Sequence, residues 1–557
     1  MTTQSLDLAT DLATDLATRD AARVVARFLD TATSATGRAT FYNTADEQSA
    51  LERSAHADMA ALDRRLYAGL VASPYVLDRA RQTGVACLLS GGAPAVATAA
   101  EAEAAAEAEA AAVRAAVARL TVPRMLNLYA MLAAERVNNA RARKLILRTL
   151  VGAPALESWA VRYRRKLAVA LRHAWGVRTA GIVRAVLVRE LAGEELDAKE
   201  RRIIAAEVDR WAPGRDQAVV HECVAFVLGA TGPFTRPQLR AYADARGDLD
   251  AGRTLPYETL EGLRGRFHPG QPASRVMELT KGRLTAGQRL AKQAQAERAG
   301  VEVDVDFTHH DAVRLYLYAY ERGMSDEVAD GLAERARRTA AGLDLADRRV
   351  ALVLDGSGSM AGSGEQALRP IAVALALRDV LRQAAGECRE VWFGGRVGED
   401  GLVRPAGDTA PAYALLDALA WDADLVVVVG DGYENAPAGR FAEVLASARD
   451  LGISTPVVQM TPVLAADAGG ARPLAAEVPV AGVQRLEGLE LTACRLLLDV
   501  EPAAAVRALH RLAGLAGAAG VAGAAGVTGP ELTAKTELIA TGVPTGVRPD
   551  VPEEVTT

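Results

Sequence analysis

The sequence predicts two architectures in one chain: an all-helical array of short segments, and after it an α/β domain of the doubly wound, parallel-sheet kind. Three observations carry this. Residues 121–349 show helical spacing of apolar side chains and no strand-like alternation, and Pro123, Pro154, Pro213, Pro233, Pro237 and Pro269 fall at or near the seams. Val350 to Leu354 is a five-residue apolar run that stops at the Gly-punctuated turn Asp355-Gly-Ser-Gly-Ser359. A second such run, from Leu425 to Val429, stops at Gly430-Asp431-Gly432, and helical segments separate the two. At 557 residues the chain exceeds what one core organises. Half of it is apolar but only 4% aromatic, a composition that favours packed helices over an aromatic-filled β-sandwich.

In chain order, the fourfold-spaced Asp-Leu-Ala-Thr repeats of Asp7 to Thr18 drift round a helix, so residues 1–44 are expected to be a flexible leader. From Asp46 the spacing of Leu51, Met59, Leu62, Leu66 and Leu70 is helical, with Asn43-Thr44 as its cap. The Ala/Glu tract of residues 95–120 reads as a solvated helical connector, its acids gathered near its start where the helix dipole favours them. The array continues through segments at 124–133, 137–151, 155–172, 177–192, 198–210, 216–228, 235–246, 273–299, 308–322 and 325–342. Short helices joined by brief turns predict a HEAT-like helical-repeat array over residues 45–346. In residues 347–510 the expected order is strand 350–354, helix 365–385, strand 389–393, helix 411–420, strand 424–430, helix 438–450 and strand 455–459. Cys494 to Val500 is expected to supply the last strand. The Gly/Ala-rich and then Pro/Thr-rich residues 511–557 are expected to be a flexible tail.

Asp355, Ser357 and Ser359 put three oxygen donors on one side of a tight turn, and Thr409 sits in a loop just before a helix. In an open parallel sheet, ligands gather outside the carboxyl ends of strands, where Asp355 and Asp431 both fall. These five residues are expected to converge on one hard divalent cation, Mg²⁺ by its preference for oxygen and its retained open positions. Taken alone, Asp-x-Ser-x-Ser is also what a solvated turn looks like. The full order Asp355-x-Ser357-x-Ser359, Thr409, Asp431 resembles the metal-ion-dependent adhesion site (MIDAS) of von Willebrand factor A domains, and residues 347–510 resemble such a domain.

Net charge is −6, divided as −5 over residues 1–118, +10 over 119–349 and −11 over 350–557. A positive middle between negative flanks points to a polyanionic partner. Between Arg119 and Glu190 there are 15 Lys and Arg but only three Glu. Arg141, Arg143, Lys144 and Arg148 lie on one helix, Arg162, Arg164, Arg165, Lys166 and Arg172 on the next, and Arg178 follows, with Tyr129, Trp159, Tyr163 and Trp175 among them. Guanidinium forks suit phosphates, and aromatic faces can stack unpaired bases, so these ten basic residues are the candidate RNA contacts. The bland alternative is a solvating surface over an aromatic core.

A helical array of this length followed directly by an A domain resembles the TROVE-module proteins, the Ro autoantigen-like RNA-binding family. Thr308-His-His-Asp-Ala-Val-Arg-Leu-Tyr-Leu-Tyr-Ala-Tyr320, the helical run through Arg338, and Arg348-Arg349-Val-Ala-Leu-Val-Leu-Asp-Gly-Ser-Gly-Ser359 follow the order of that family's last array helices and first A-domain strand. The resemblance implies a ring of helical repeats closed by the A domain, with small structured or misfolded noncoding RNA held on a basic surface. It also implies a ribonucleoprotein role in RNA quality control, in which an exoribonuclease or other protein is engaged through the metal site. A different reading is a protein-interaction adaptor whose metal takes a partner carboxylate, as in A-domain proteins serving ATPase chaperones or conflict systems.

No catalytic constellation is present: the chain lacks a P-loop, a G-x-S-x-G elbow and an H-E-x-x-H motif, so it is not expected to be an enzyme. Cys87, Cys223, Cys388 and Cys494 are far apart in sequence and form no C-x-x-C pair, which fits a reducing compartment. With no secretory n- and h-region and no spanning apolar stretch, a cytoplasmic protein without membrane contact is expected.

Overall fold

The computed structural model describes residues 20–34, 44–91, 98–343, 345–362, 364, 367–462, 471–500 and 502–521. The described residues form two compact units, one drawn from the stretches 1–81 and 311–557 and the other from 82–310.

The first unit is built round a sheet. Its strands are β1 (Arg349–Gly356), β2 (Glu387–Gly394), β3 (Arg396–Val397), β4 (Val403–Arg404), β5 (Leu425–Val429), β6 (Val457–Thr461) and β7 (Val480–Gly482). β3 and β4 make a small antiparallel pair, and the other five form one parallel sheet in the order β2-β1-β5-β6-β7. Parallel strands in the middle of such a sheet are covered on both faces, which is why β1 and β5 read as unbroken apolar runs. On one face Ala351, Val353, Val426, Val428 and Val457 pack beneath Leu415, Leu419, Phe441 and Leu445 of the helices Pro411–Ala420 and Arg440–Asp450. The alternate residues Leu425, Val427, Val458 and Met460 line a small cavity with Leu381 and with Leu489, Leu496 and Leu497. The sheet is thus doubly wound, as expected.

Cys494 to Val500 is not a strand. Residues Leu489–Leu498 form a helix with Leu489, Leu491, Cys494, Leu496, Leu497 and Leu498 buried, and β7 is the last strand among the described residues. A short run apolar on every side fits a buried helix as well as a buried strand, and only the packing separates them.

Both ends of the predicted helical module belong to this sheet-bearing unit. The helices Ala312–Arg322 and Asp326–Ala340 pack on Arg369–Ala384. The Tyr316 hydroxyl donates to Asp379, which also takes the Arg378 guanidinium at 2.8 Å. Near the amino end, Thr44 caps the helix Ala45–Leu62 in a reciprocal box with Glu47, and Asp63 caps the next helix, Arg64–Ala72.

The leader and tail assignments both need correction. Residues 20–34 are helical with Val25, Phe28, Leu29 and Ala32 buried, and Asp30 accepts from Arg495 at 3.0 Å. The helix Pro502–Val521 packs on Arg64–Ala72 so closely that a Cβ on Gly69 would lie 2.7 Å from that of Ala513. Low-complexity composition hid these contacts, because Gly and Ala permit a close helix crossing without advertising an apolar stripe. The Asp7 to Thr18 repeats and residues 522–557 lie outside the described residues.

The second unit is helical. Its hub is Leu156–Trp175, against which pack Val122–Ala134, Ala140–Val151, Val177–Leu191, Gln217–Leu228 and Pro237–Asp244. Asn139, Asp197 and Asp216 cap helices at the predicted seams, Thr285 caps one inside the predicted segment 273–299, and Pro123 and Pro237 open others. The Ala/Glu tract is the helix Ala99–Arg119, with Val113, Ala116 and Val117 buried. Two details differ from the expected segments. A helix absent from that reading, Tyr257–Phe267, fills the gap after residue 246. The long segment 273–299 is broken into Ala273–Thr280 and Ala286–Arg298.

Candidate functional site

The sheet order defines where a site forms. From β1 the chain crosses to β2 on one side and then to β5 on the other, so the gap beyond the carboxyl ends of β1 and β5 is the topological switch point. Leu354 pairs with Val429, which sets Asp355 in the last residues of β1 and Asp431 just past the end of the neighbouring β5. The Asp431 charge acts on the Asp355 carboxyl there, and the Asp431 N–H donates a hydrogen bond to it. Asp355 is 1% exposed and Asp431 2%. Burial first, and then the adjacent Asp431 charge, push the Asp355 carboxyl up to about 7, against hydrogen bonds from Ser357. A Cβ on Gly430 would stand 3.0 Å from both the Cβ and Oδ2 of Asp355, so the closeness of the acidic turns rests on a glycine there.

The hydroxyls arrive on two loops. The Ser357 N–H donates to Asp355 Oδ1 at 2.8 Å, curling the turn so that the Ser357 and Ser359 hydroxyls lie 3.0 Å apart. The loop carrying Thr409 is fastened to that turn, with Gly358 N–H donating to Gly407 O at 3.1 Å and Ala406 N–H to Gly356 O at 2.9 Å. It is fastened to the Asp431 loop as well, since Thr409 N–H donates to Asn435 Oδ1 at 2.9 Å and Asn435 N–H to Thr409 O at 3.1 Å. Thr409 is 3% exposed and Ser359 lies at the surface. Three loops are therefore stitched together at the switch point. Asn435, which couples two of them, was missed in the sequence reading and carries no motif signal of its own. Among the described residues no group of three or more His, Cys, Asp or Glu could hold a metal ion. The donor set here is two carboxylates and three hydroxyls, which suits a hard cation with water completing its shell.

A second feature lies in the helical unit. A cleft of about 970 Å³ is lined by Arg162, Arg164, Arg165, Lys166 and Arg172 from the hub helix, and by Arg246 and Arg266 from helices further along. Glu258 is the one carboxylate in its lining, and Tyr163, Tyr242 and Phe267 are its rings. The hub helix is kinked at Tyr163, where φ is −124° and ψ 23°.

The cleft's cations are not equivalent. Arg164 donates to Phe226 O at 2.9 Å and Ala230 O at 3.3 Å, and its guanidinium sits 4.1 Å from the Phe226 ring centre. Arg162 pairs with Glu258 at 3.4 Å, and Lys166 donates to Asn127 Oδ1 at 2.8 Å. Arg165 and Arg172 are exposed and make no hydrogen bond or ion pair among the described residues. Arg246 and Arg266 flank Phe267, at 5.9 and 5.2 Å from its ring centre.

Of the other predicted RNA contacts, Arg141 pairs with buried Glu109 at 2.9 Å, and Arg143 donates to Asn138 O at 3.3 Å. Lys144, Arg148 and Arg178 are exposed but do not line the cleft. Tyr129 and Trp175 belong to the core. Arg266 and Phe267 went unrecognised in sequence because the helix bearing them was missed, and Tyr242 and Arg246, at the end of the expected segment 235–246, carry no motif signal. The spacing of Tyr257, Leu260 and Leu263 was the available signal.

No protein-family model matches the chain, and no curated protein matches it. No helix among the described residues is long and apolar enough to cross a membrane.

Proposed function

We propose that the chain is an RNA-binding scaffold with a divalent-cation adhesion site. It would be a Ro-like protein in which a HEAT-like helical array holds small structured or misfolded noncoding RNA and a von Willebrand factor A-type domain carries the metal. The observation that bears most weight is the cleft, which sets seven cations and three rings against a single carboxylate. Phosphates would be taken by the unpaired Arg165 and Arg172 and by Arg246 and Arg266, and Phe267 at its rim, 39% exposed, offers a base a stacking surface. Arg164 would contribute field and support, since its fork is already occupied by backbone carbonyls.

Asp355, Ser357, Ser359, Thr409 and Asp431 would hold the cation, Mg²⁺ or Mn²⁺. The fit is supported by two buried acids near enough for the Asp431 charge to raise the Asp355 carboxyl, an arrangement that a positive ion relieves. These residues would hold the ion where its positive charge could attract a partner's carboxylate. Electrophoretic mobility shift with total cellular RNA at low salt tests the RNA reading. Retarded RNA is expected, and retardation is to be lost on joint Arg165→Glu, Arg172→Glu and Arg266→Glu substitution. Absence of any shift refutes it.

A protein-interaction adaptor is the second reading. It is favoured by the metal cluster lying in a different compact unit from the cleft, so that it has a chemistry of its own. Capture of a protein that needs Mg²⁺, resists RNase and is lost on Asp355→Ala would select it.

A further inference from the structure

We propose that a second pocket of the helical unit, between the helices Ala99–Arg119 and Ala140–Val151, binds a small amphipathic anion: an alkyl or aryl body carrying one carboxylate, sulfonate or phosphate. The pocket encloses about 500 Å³, within the range of small-molecule sites, and shares no lining residue with the basic cleft. Its floor is apolar, formed by Val113, Val117, Leu120, Met125, Leu145 and Trp159. Its one lining hydroxyl, Thr149 Oγ1, already donates to Leu145 O at 2.7 Å. A nucleobase would find little here to read its polar edges, whereas a hydrocarbon or aromatic body would lose nothing on entry.

The charged side chains of the lining are unevenly paired. Arg114, Arg141, Lys144 and Arg148 face two carboxylates, and both carboxylates are taken: Glu107 by Arg114 at 2.8 Å and buried Glu109 by Arg141 at 2.9 Å. The Arg114 guanidinium holds the Glu107 carboxyl below its ordinary value, with a smaller contribution from Lys144. Lys144 and Arg148 make no hydrogen bond or ion pair of their own among the described residues. They stand four residues apart on one helix, hence on one face, where two cations can share a single anionic head. A greasy floor with two exposed cations that have no hydrogen-bond or ion-pair partner among the described residues is complementary to a molecule that has both parts.

The test is displacement of 1-anilinonaphthalene-8-sulfonate from the full chain by laurate and by 1-dodecanol, which share a chain length but not a charge. Saturable binding of one dye per chain is expected, with laurate displacing it at least tenfold better than dodecanol. Lys144→Ala with Arg148→Ala should weaken laurate about tenfold and leave dodecanol unchanged, as loss of a charge-assisted hydrogen bond predicts. Ala110→Trp, from the half-buried lining, should remove both. Unsaturable dye binding, equal displacement by laurate and dodecanol, or laurate displacement that survives Ala110→Trp in a protein of unchanged circular dichroism would each overturn the proposal. Should Ala110→Trp fail to fold, the laurate-to-dodecanol ratio of the double alanine variant decides: an unchanged ratio overturns the proposal.

Discussion

Consider joint replacement of Arg165 and Arg172 by Gln, which removes two cleft charges while keeping polar side chains of moderate length. Four cations of the cleft, these two with Arg246 and Arg266, make no side-chain hydrogen bond or ion pair among the described residues and are counted as one phosphate contact each. For single-stranded nucleic acid each neutralised phosphate contributes about −0.7 to the slope of log affinity against log salt, so the parent slope should be about −2.8. Raising salt from about 50 to about 200 mM should then weaken binding about 50-fold in the parent and about sevenfold in the double variant, whose slope falls to about −1.4. Fluorescence anisotropy of a labelled oligouridylate across a salt series reads both slopes. The core should be indifferent, because both side chains are exposed and neither guanidinium makes a hydrogen bond or ion pair among the described residues. A double variant whose slope equals the parent's would show that phosphates do not enter this cleft. A parent slope near zero would refute electrostatic RNA binding altogether.

Other perturbations address the remaining parts. Asp355→Asn should raise the thermal midpoint of metal-free protein by relieving the buried acid pair, and should abolish stabilisation by Mn²⁺. In the parent, Mn²⁺ at about a hundred times its dissociation constant should add about 2.7 kcal/mol, measurable by calorimetry. Glu222, 3% exposed, accepts from Thr235 N–H at 2.6 Å, Arg236 N–H at 2.7 Å and the Thr235 hydroxyl at 2.6 Å. Its replacement by Ala should cost about 3 kcal/mol or more in urea denaturation, and by Gln about 1, because Gln retains an acceptor for both backbone donors.

His56 is fully buried against Phe28, 2.7 Å from the Tyr67 hydroxyl, with the Arg79–Glu52 pair close by. Burial, aided by the Arg79 charge, lowers its folded pKa to about 3, while the unfolded chain takes up that proton near the ordinary value of about 6.5. Its contribution is therefore whole above about 6.5 and should decline by up to about 1.4 kcal/mol per unit as pH falls below that, a slope that His56→Gln should flatten in denaturation curves taken at pH 6 and 5. Gly69→Val should loosen the helix Pro502–Val521 at a cost of about 1–3 kcal/mol, seen as faster proteolysis at the carboxyl end.

Some of this protein was legible in the order of its residues. Periods of two and 3.6, prolines at seams and polar caps are local, so the central strands β1 and β5 and most helices of the array could be placed without knowing what they touch. The positions of the acidic turns were legible as well, because an apolar run that stops at a Gly-punctuated acidic turn marks the end of a strand within a few residues. Burial partners are not local. Whether Leu489–Leu498 is helix or strand, whether residues 20–34 dock, and whether an Ala/Gly segment packs against Gly69 depend on surfaces supplied from hundreds of residues away. The same limit governs function. Ten basic residues looked alike in sequence, yet Arg164 is bound to backbone carbonyls, Arg141 to a buried glutamate, and Arg165 and Arg172 to nothing described. Charge is written in the residue, but its availability is set by the neighbours that folding brings to it. Only the tertiary structure chose those neighbours.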